Sequence, residues 1–278
     1  MFWLSLLSGA LASFSPFLGM IVVMIFCART LGSAIVSPQR ALFAFFVIPL
    51  ALLLIDRSPA NQLMVLDAIF GVGIIAWVFL ITLRANQVLS EALLISAIAL
   101  MVYSLARMFL FGAFLTESFD QGFELLQAQV PALVNTQYMD LSMKLWKMIM
   151  PSMWGVGQIL ALLVGYYLFH KTIKIPFRFE DLKFPALYNL LIVAILPLYL
   201  VDAGRLIFIN ALILLCMIPL TQGFASVSVG LAKVIASDIV RGIIMVIVLL
   251  YAFIPLTLIG LADSWLGIRT NNRGGNTA

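Results

Sequence analysis

Apolar residues follow one another along nearly the whole chain, and polar residues collect in the gaps between the runs. The first run covers about 2–27 and is interrupted by Ser15-Pro16; it is either one kinked span or two short half-spans. The next, about 41–55, is short and carries Pro49. Further runs cover about 63–83, 92–115, 150–169, 185–201, 206–231 and 242–262. A helix needs roughly 20 apolar residues to cross a bilayer. The pattern therefore predicts an all-α fold, a polytopic transmembrane helix bundle of about eight spans. Residues 1–267 make one transmembrane domain on this reading, and residues 268–278 a polar, flexible tail.

The one long connection is 116–148. Phe119, Phe123, Leu126 and Val130 fall on one helical face before Pro131, and Tyr138, Leu141, Leu145 and Met148 make a second. Two amphipathic helices lying in the membrane interface satisfy that pattern. A lid over a cavity is the second reading.

Composition agrees. The chain is 64% hydrophobic and 10% charged, with a mean hydropathy of +1.14, whereas soluble domains are about 25% charged. No soluble domain fits between the runs, and no internal repeat is visible. The N-terminal "MFWLSLLSGALASFS" has no basic residue before its apolar core, so a retained span is expected rather than a cleaved signal.

Charge sets the orientation, because cytoplasmic loops are enriched in Lys and Arg. The basic loop 171–184 holds Lys171, Lys174, Arg178 and Lys183 and is assigned to the cytoplasm. The 29–40 loop and the turn at Arg84 then fall on the same side, and the acid-rich 117–140 stretch on the other. Lys233 and Arg241 also fall inside. Eight spans would send the tail, with Arg269 and Arg273, outside against the rule, unless one late segment is re-entrant. The net charge of +4 suits anionic lipid headgroups and not nucleic acid; the lipid bilayer is the expected partner.

Enzyme chemistry finds little support. The single histidine, His170, stands beside Lys171 at a span end. There is no HExxH motif, no His/Cys cluster to hold a metal, and no phosphate-binding GxxxxGK[ST] loop. Cys27 and Cys216 are lone thiols in apolar runs and imply no disulfide framework. No cofactor is expected.

Polar residues within the runs carry the remaining signal. Asp67 and Arg107 lie inside predicted spans, where a charge costs a few kcal/mol or more unless it is paired or wetted. They either pair structurally or line a polar cavity. Asp202 and Arg205 stand three apart near a span junction, close enough to pair across one helical turn. In "PLTQG", Pro219 removes a helix hydrogen bond, Gly223 tolerates unwinding, and Gln222 offers a donor and an acceptor. Broken helices of this kind hold substrates in transporters; a kink satisfied by its neighbours is the alternative. A ligand site there predicts a non-ideal helix, with Gln222 facing inward near Arg107 and Asp67.

Small residues repeat every four positions at Ser5, Gly9 and Ser13, and again at Gly157, Ala161 and Gly165. Such faces let helix backbones approach closely in lipid, either within the bundle or against a partner. The chain closes on "GLADSWLGIR". Trp265 fits the aromatic belt and Arg269 the headgroup layer. Asp263 marks where the apolar run meets water, as an anchor or as a partner-docking corner.

The last third carries a resemblance. "FPALYNL" after the basic loop, "FINALILL", "QGFASVSVGL" and "GLADSWLGIR", within about 177–269, resemble the YybS-like family of bacterial integral membrane proteins. That family is similar in hydropathy and helix order to the substrate-capture subunits of energy-coupling-factor vitamin transporters, and MreD has been grouped with it. The resemblance implies a multi-pass protein of the bacterial inner (cytoplasmic) membrane. It also implies a small-molecule-binding or transport subunit; Gln222, Gly223, Arg107 and Asp67, singled out above from the chain itself, are its candidate ligand residues. In those transporters a small-residue face on the first helix docks a shared coupling subunit, the role it would give Ser5, Gly9 and Ser13. A non-transporting scaffold in envelope assembly is the alternative expectation.

Overall fold

A computed structural model describes residues 2–29, 42–86, 88–129, 139–173, 182, 184 and 187–266. Among these residues the chain is all helix, with no strand. The order is α1 (Phe2–Phe14), α2 (Pro16–Cys27), a 3-10 turn at Ala44–Phe46 leading into α3 (Val47–Ile55), and α4 (Pro59–Leu66). A π-helical stretch, Asp67–Ile74, joins α4 to α5 (Ile75–Asn86). Then come α6 (Leu89–Gln129), α7 (Met139–Thr172), α8 (Leu187–Ile195) with a 3-10 turn at Leu196–Leu200, α9 (Asp202–Val234), α10 (Asp238–Tyr251) and α11 (Phe253–Leu266).

Four of the described helices are long and apolar enough to cross a membrane: Pro59–Asn86, Leu89–Gln129, Leu141–Thr172 and Gly204–Val234. They carry the expected spans at 63–83, 92–115, 150–169 and 206–231. A fifth arises only if α10 and α11, bent by 99° at their junction, count as one broken span. The other expected spans fold as shorter pieces, for reasons visible in the chain. Ser15 is extended (φ −146°, ψ 95°) and accepts from the Leu18 N–H at 3.5 Å, so Pro16 opens a new helix. With Gly19 seated on Ala12, α2 turns back against α1. The first run is therefore two short apolar helices. Pro197 sits in the 3-10 turn that ends the 185–201 run.

The core gathers where α2, α5, α6, α7 and α9 meet, around Met20, Met24, Phe79, Leu80, Leu100, Leu162 and Leu214. Gly165 brings α7 against Ile21 and Met24 of α2. Gly9 leaves no room for a Cβ beside the Phe45 carbonyl. The Ser5–Gly9–Ser13 face is thus buried inside the chain, and the expected docking of a partner on it meets the segment around Phe45 instead. Of the second stripe, Ala161 is buried and Gly165 is packed, while nothing lies close to Gly157.

At 41 residues, α6 is about 60 Å long, twice the hydrocarbon thickness. Its backbone leaves helical geometry at Phe111 (φ −125°, ψ 16°), and α7 carries Pro151. Residues 112–129 therefore form a helix beyond the Phe111 kink, and 139–148 the part of α7 before Pro151. An ion pair of 2.5 Å between Asp120 and Lys147 joins these two arms. A cavity of about 460 Å³ lies between them, lined by Phe119, Phe123, Met143 and Trp146 among others. Val130, Pro131 and Tyr138 lie outside the described residues, as do 174–181 and 183 of the basic loop, and Arg269 with the tail.

Candidate functional site: two buried polar clusters

Asp67 and Arg107 are both buried, 4% and 8% exposed, and they find each other. Arg107 Nε donates to Asp67 at 2.9 Å (Oδ1) and 3.1 Å (Oδ2). The Tyr103 hydroxyl, one turn earlier on α6, donates to the same Oδ1 at 2.8 Å. The guanidinium lies over the Trp154 ring, 4.9 Å from its centroid, a cation–π contact. Trp154 packs against Tyr103, which stacks on Phe70. Asp67 opens the π-helical stretch, and within that stretch Gly71 leaves no room for a Cβ beside Trp154. Short π segments recur at functional sites because they shift one side chain out of helical register. Here the shifted register carries an acid facing an arginine.

One turn before Arg107 stands Ser104, whose buried Oγ has no hydrogen-bond partner among the described residues. A Cβ at Gly155 would lie 2.8 Å from that oxygen and 2.6 Å from Leu214. Below this point α7 has a repair. Pro151 disturbs the helix ladder, and Asn210 of α9 fills the gap. Its Oδ1 accepts from the Ser152 N–H at 3.0 Å, and its Nδ2 donates to the Met148 carbonyl at 2.9 Å. These are two groups that a regular turn would join to each other.

The second cluster lies elsewhere. Gln222 faces inward, 2% exposed, but α9 runs through Pro219 and Gly223 as one unbroken helix. The expected break in the helix is absent. Gln222 Oε1 accepts from the Phe184 N–H at 3.3 Å, and Nε2 donates to Asp263 Oδ2 at 2.9 Å. Ser226 Oγ is 3.2 Å from the same carboxylate oxygen. Gly155, beside Trp154, meets Leu214, and Gln222 stands eight residues further along α9, about 12 Å in rise. The expected gathering of Gln222 with Arg107 and Asp67 is therefore replaced by two clusters at different levels.

Asp263, expected to meet water, is instead enclosed by protein at 5% exposure, against Gln222 and Ser226. Trp265, 69% exposed, is free to sit in an aromatic belt. Gly223 has no room for a Cβ beside the Leu256 carbonyl, and Gly260 none beside the Pro219 carbonyl, so α9 and α11 cross backbone to backbone. Sequence reading found Gly223 but missed Gly260, Ser226 and Phe184. Tyr103, Trp154 and Asn210 were likewise missed; the two aromatics are ordinary residues for an apolar helix, whereas Asn210, a polar residue inside the 206–231 run, was a signal that the sequence offered. Asp202 and Arg205 pair as expected, at 3.2 Å on an exposed turn.

No family model, curated protein or solved structure matches the chain.

Proposed function

We propose that the protein is a multi-pass protein of the bacterial inner membrane that binds or transports a small molecule through the Asp67–Arg107 cluster. One observation carries the reading. A buried ion pair, with a half-buried tyrosine and tryptophan against it, lies within helices of membrane-crossing length. Ionisable groups at that depth are expensive and mark ligand or ion pathways. Gln222 and Gly223 leave the ligand set and become packing residues, and no coupling partner docks on Ser5, Gly9 and Ser13.

Topology follows the same reading. Arg29, Arg84, Lys171, Lys233 and Arg241 belong to one end of the bundle, the cytoplasmic one. Three residues separate the end of α9 from the start of the α10–α11 pair. It finishes with Asp263 against Ser226, about 12 Å short of that same end. A re-entrant pair returns the tail to the cytoplasm and removes the conflict of Arg269 and Arg273 with the charge rule.

Native mass spectrometry of protein purified into lipid nanodiscs tests the function. A co-purifying small molecule that is lost in Asp67→Asn/Arg107→Gln is expected. A stoichiometric protein partner with no small molecule would instead favour an envelope scaffold. That second reading draws on the Gln222 cluster, where both ends of the amide already meet protein.

A further inference from the structure

Arg107 has five N–H donors, and among the described residues only its Nε makes hydrogen bonds. Both terminal nitrogens lack a protein acceptor, although the side chain is 9% exposed. One face of the guanidinium is covered by Trp154 and the Nε edge by Asp67, so the outer edge, with its paired N–H groups, is left. These terminal nitrogens reach the protein surface and are left open to an acceptor from outside the chain. Ser104 adds a hydroxyl that is enclosed and has no partner among the described residues, and a buried polar group without a partner is costly. Three residues before Arg107, it shares that face of α6, and its enclosed hydroxyl abuts Gly155, the neighbour of Trp154.

We infer that this edge is a binding site for an oxyanion, a carboxylate or phosphate group, held by the two terminal nitrogens of Arg107 with the Ser104 hydroxyl as an added donor. The chemistry fits on two counts. A guanidinium edge matches a planar or tetrahedral oxyanion through two parallel N–H···O bonds. A serine hydroxyl can turn its proton toward the same anion. The Asp67 carboxylate neutralises the guanidinium, so a bound anion leaves the cluster negative, and these donors must offset that repulsion. The inference rests on the proposed binding function and names its ligand class.

Two sources supply such a group, a lipid headgroup or a free solute, and the test separates them. Thermal unfolding is followed in nanodiscs of phosphatidylcholine alone, with sodium acetate or phosphate added against chloride at equal ionic strength. It is then followed in nanodiscs containing phosphatidylglycerol. Stabilisation by added anion in phosphatidylcholine assigns a free solute; stabilisation only with phosphatidylglycerol assigns a headgroup. In either case Ser104→Ala, which removes one hydroxyl and leaves the ion pair, is expected to raise the half-saturating concentration severalfold. Asp67→Asn/Arg107→Gln, a neutral pair that keeps hydrogen-bonding groups in place, is expected to raise it at least tenfold. Anion effects that are absent in the wild-type protein, or equal in the double variant, would overturn the oxyanion site. If native mass spectrometry then still finds a neutral co-purifying molecule, the binding function survives and only its ligand class falls.

Discussion

The two polar clusters contain similar parts, a buried carboxylate with hydrogen-bond donors from another helix, and they are finished differently. Around Asp263 the donors are Gln222 and Ser226, and the far end of the Gln222 amide takes the Phe184 N–H. That cluster closes on protein. It pins the chain just beyond the basic loop to α9 and α11, with Tyr188 adding a 2.6 Å bond to the Leu215 carbonyl. Around Asp67 the acid is satisfied, by Arg107 and Tyr103, but the arginine and Ser104 are not. A closed cluster is a fastener. An open one leaves donors over for a ligand. Polarity alone does not distinguish the two; what remains unpaired does.

The largest effect is expected from Arg107→Ala, which strands Asp67 in the membrane interior. Breaking a buried pair by removing one partner costs about 3–5 kcal/mol. Chemical unfolding in mixed micelles measures it, and the Asp67→Asn/Arg107→Gln pair is expected to recover most of the loss. Gly223→Ala or Gly260→Ala comes next. Either Cβ must push apart the backbones of α9 and α11, at a cost of about 1–3 kcal/mol for overpacking. The closed cluster then loosens, and hydrogen exchange at Phe184 is expected to speed up while the anion response at Arg107 stays intact. Loss of both together would show that the clusters are coupled and weaken the contrast between them.

Asn210→Leu is expected to cost a similar or slightly smaller amount, about 1–3 kcal/mol, because the Ser152 N–H and the Met148 carbonyl lose their partner at the Pro151 kink. Its position beneath Trp154 sharpens the comparison. It should lower stability and also weaken anion binding, whereas Gln222→Leu should lower stability alone. The smallest effect lies outside both clusters, in the turn between α3 and α4. The Ser58 N–H and then its hydroxyl, each 2.8 Å from Asp56, hold that carboxyl below its ordinary value of 3.8. A lowered pKa in the folded state stabilises above the unfolded value and is lost as pH falls through the folded one. Carboxyl-carbon NMR should therefore show Asp56 titrating low, and Ser58→Ala should return it toward 3.8.

Much of the membrane character was legible in the chain. The four long spans coincide with apolar runs, and the Ser15-Pro16 break follows from the chemistry of proline and an N-cap. Asp67 and Arg107 could be picked out as unusual because a charge inside an apolar run needs a reason. Hydropathy overcounted the spans, because it measures whether a segment prefers lipid and not whether it stays straight. The turn of α2 against α1 goes with a close contact at Gly19, and the 99° bend between α10 and α11 falls at Ala252, whose backbone (φ −118°, ψ 30°) leaves helical geometry; no running average contains either.

What the sequence determined by itself is therefore local or additive: helical class, membrane affinity, the basic end of the bundle, and which residues are costly to bury. Which costly residue meets which was decided only by tertiary structure. Asp67 and Arg107 are 40 positions apart, Gln222 and Asp263 are 41, and nothing in either spacing says that the first pair is left open and the second sealed. That outcome depends on helix crossings fixed by glycine contacts and on a register shifted by a π-helical stretch. Hydrogen bonds act over about 3 Å, so a displacement of one helical turn, which sequence cannot fix, exchanges a satisfied amide for an unsatisfied guanidinium.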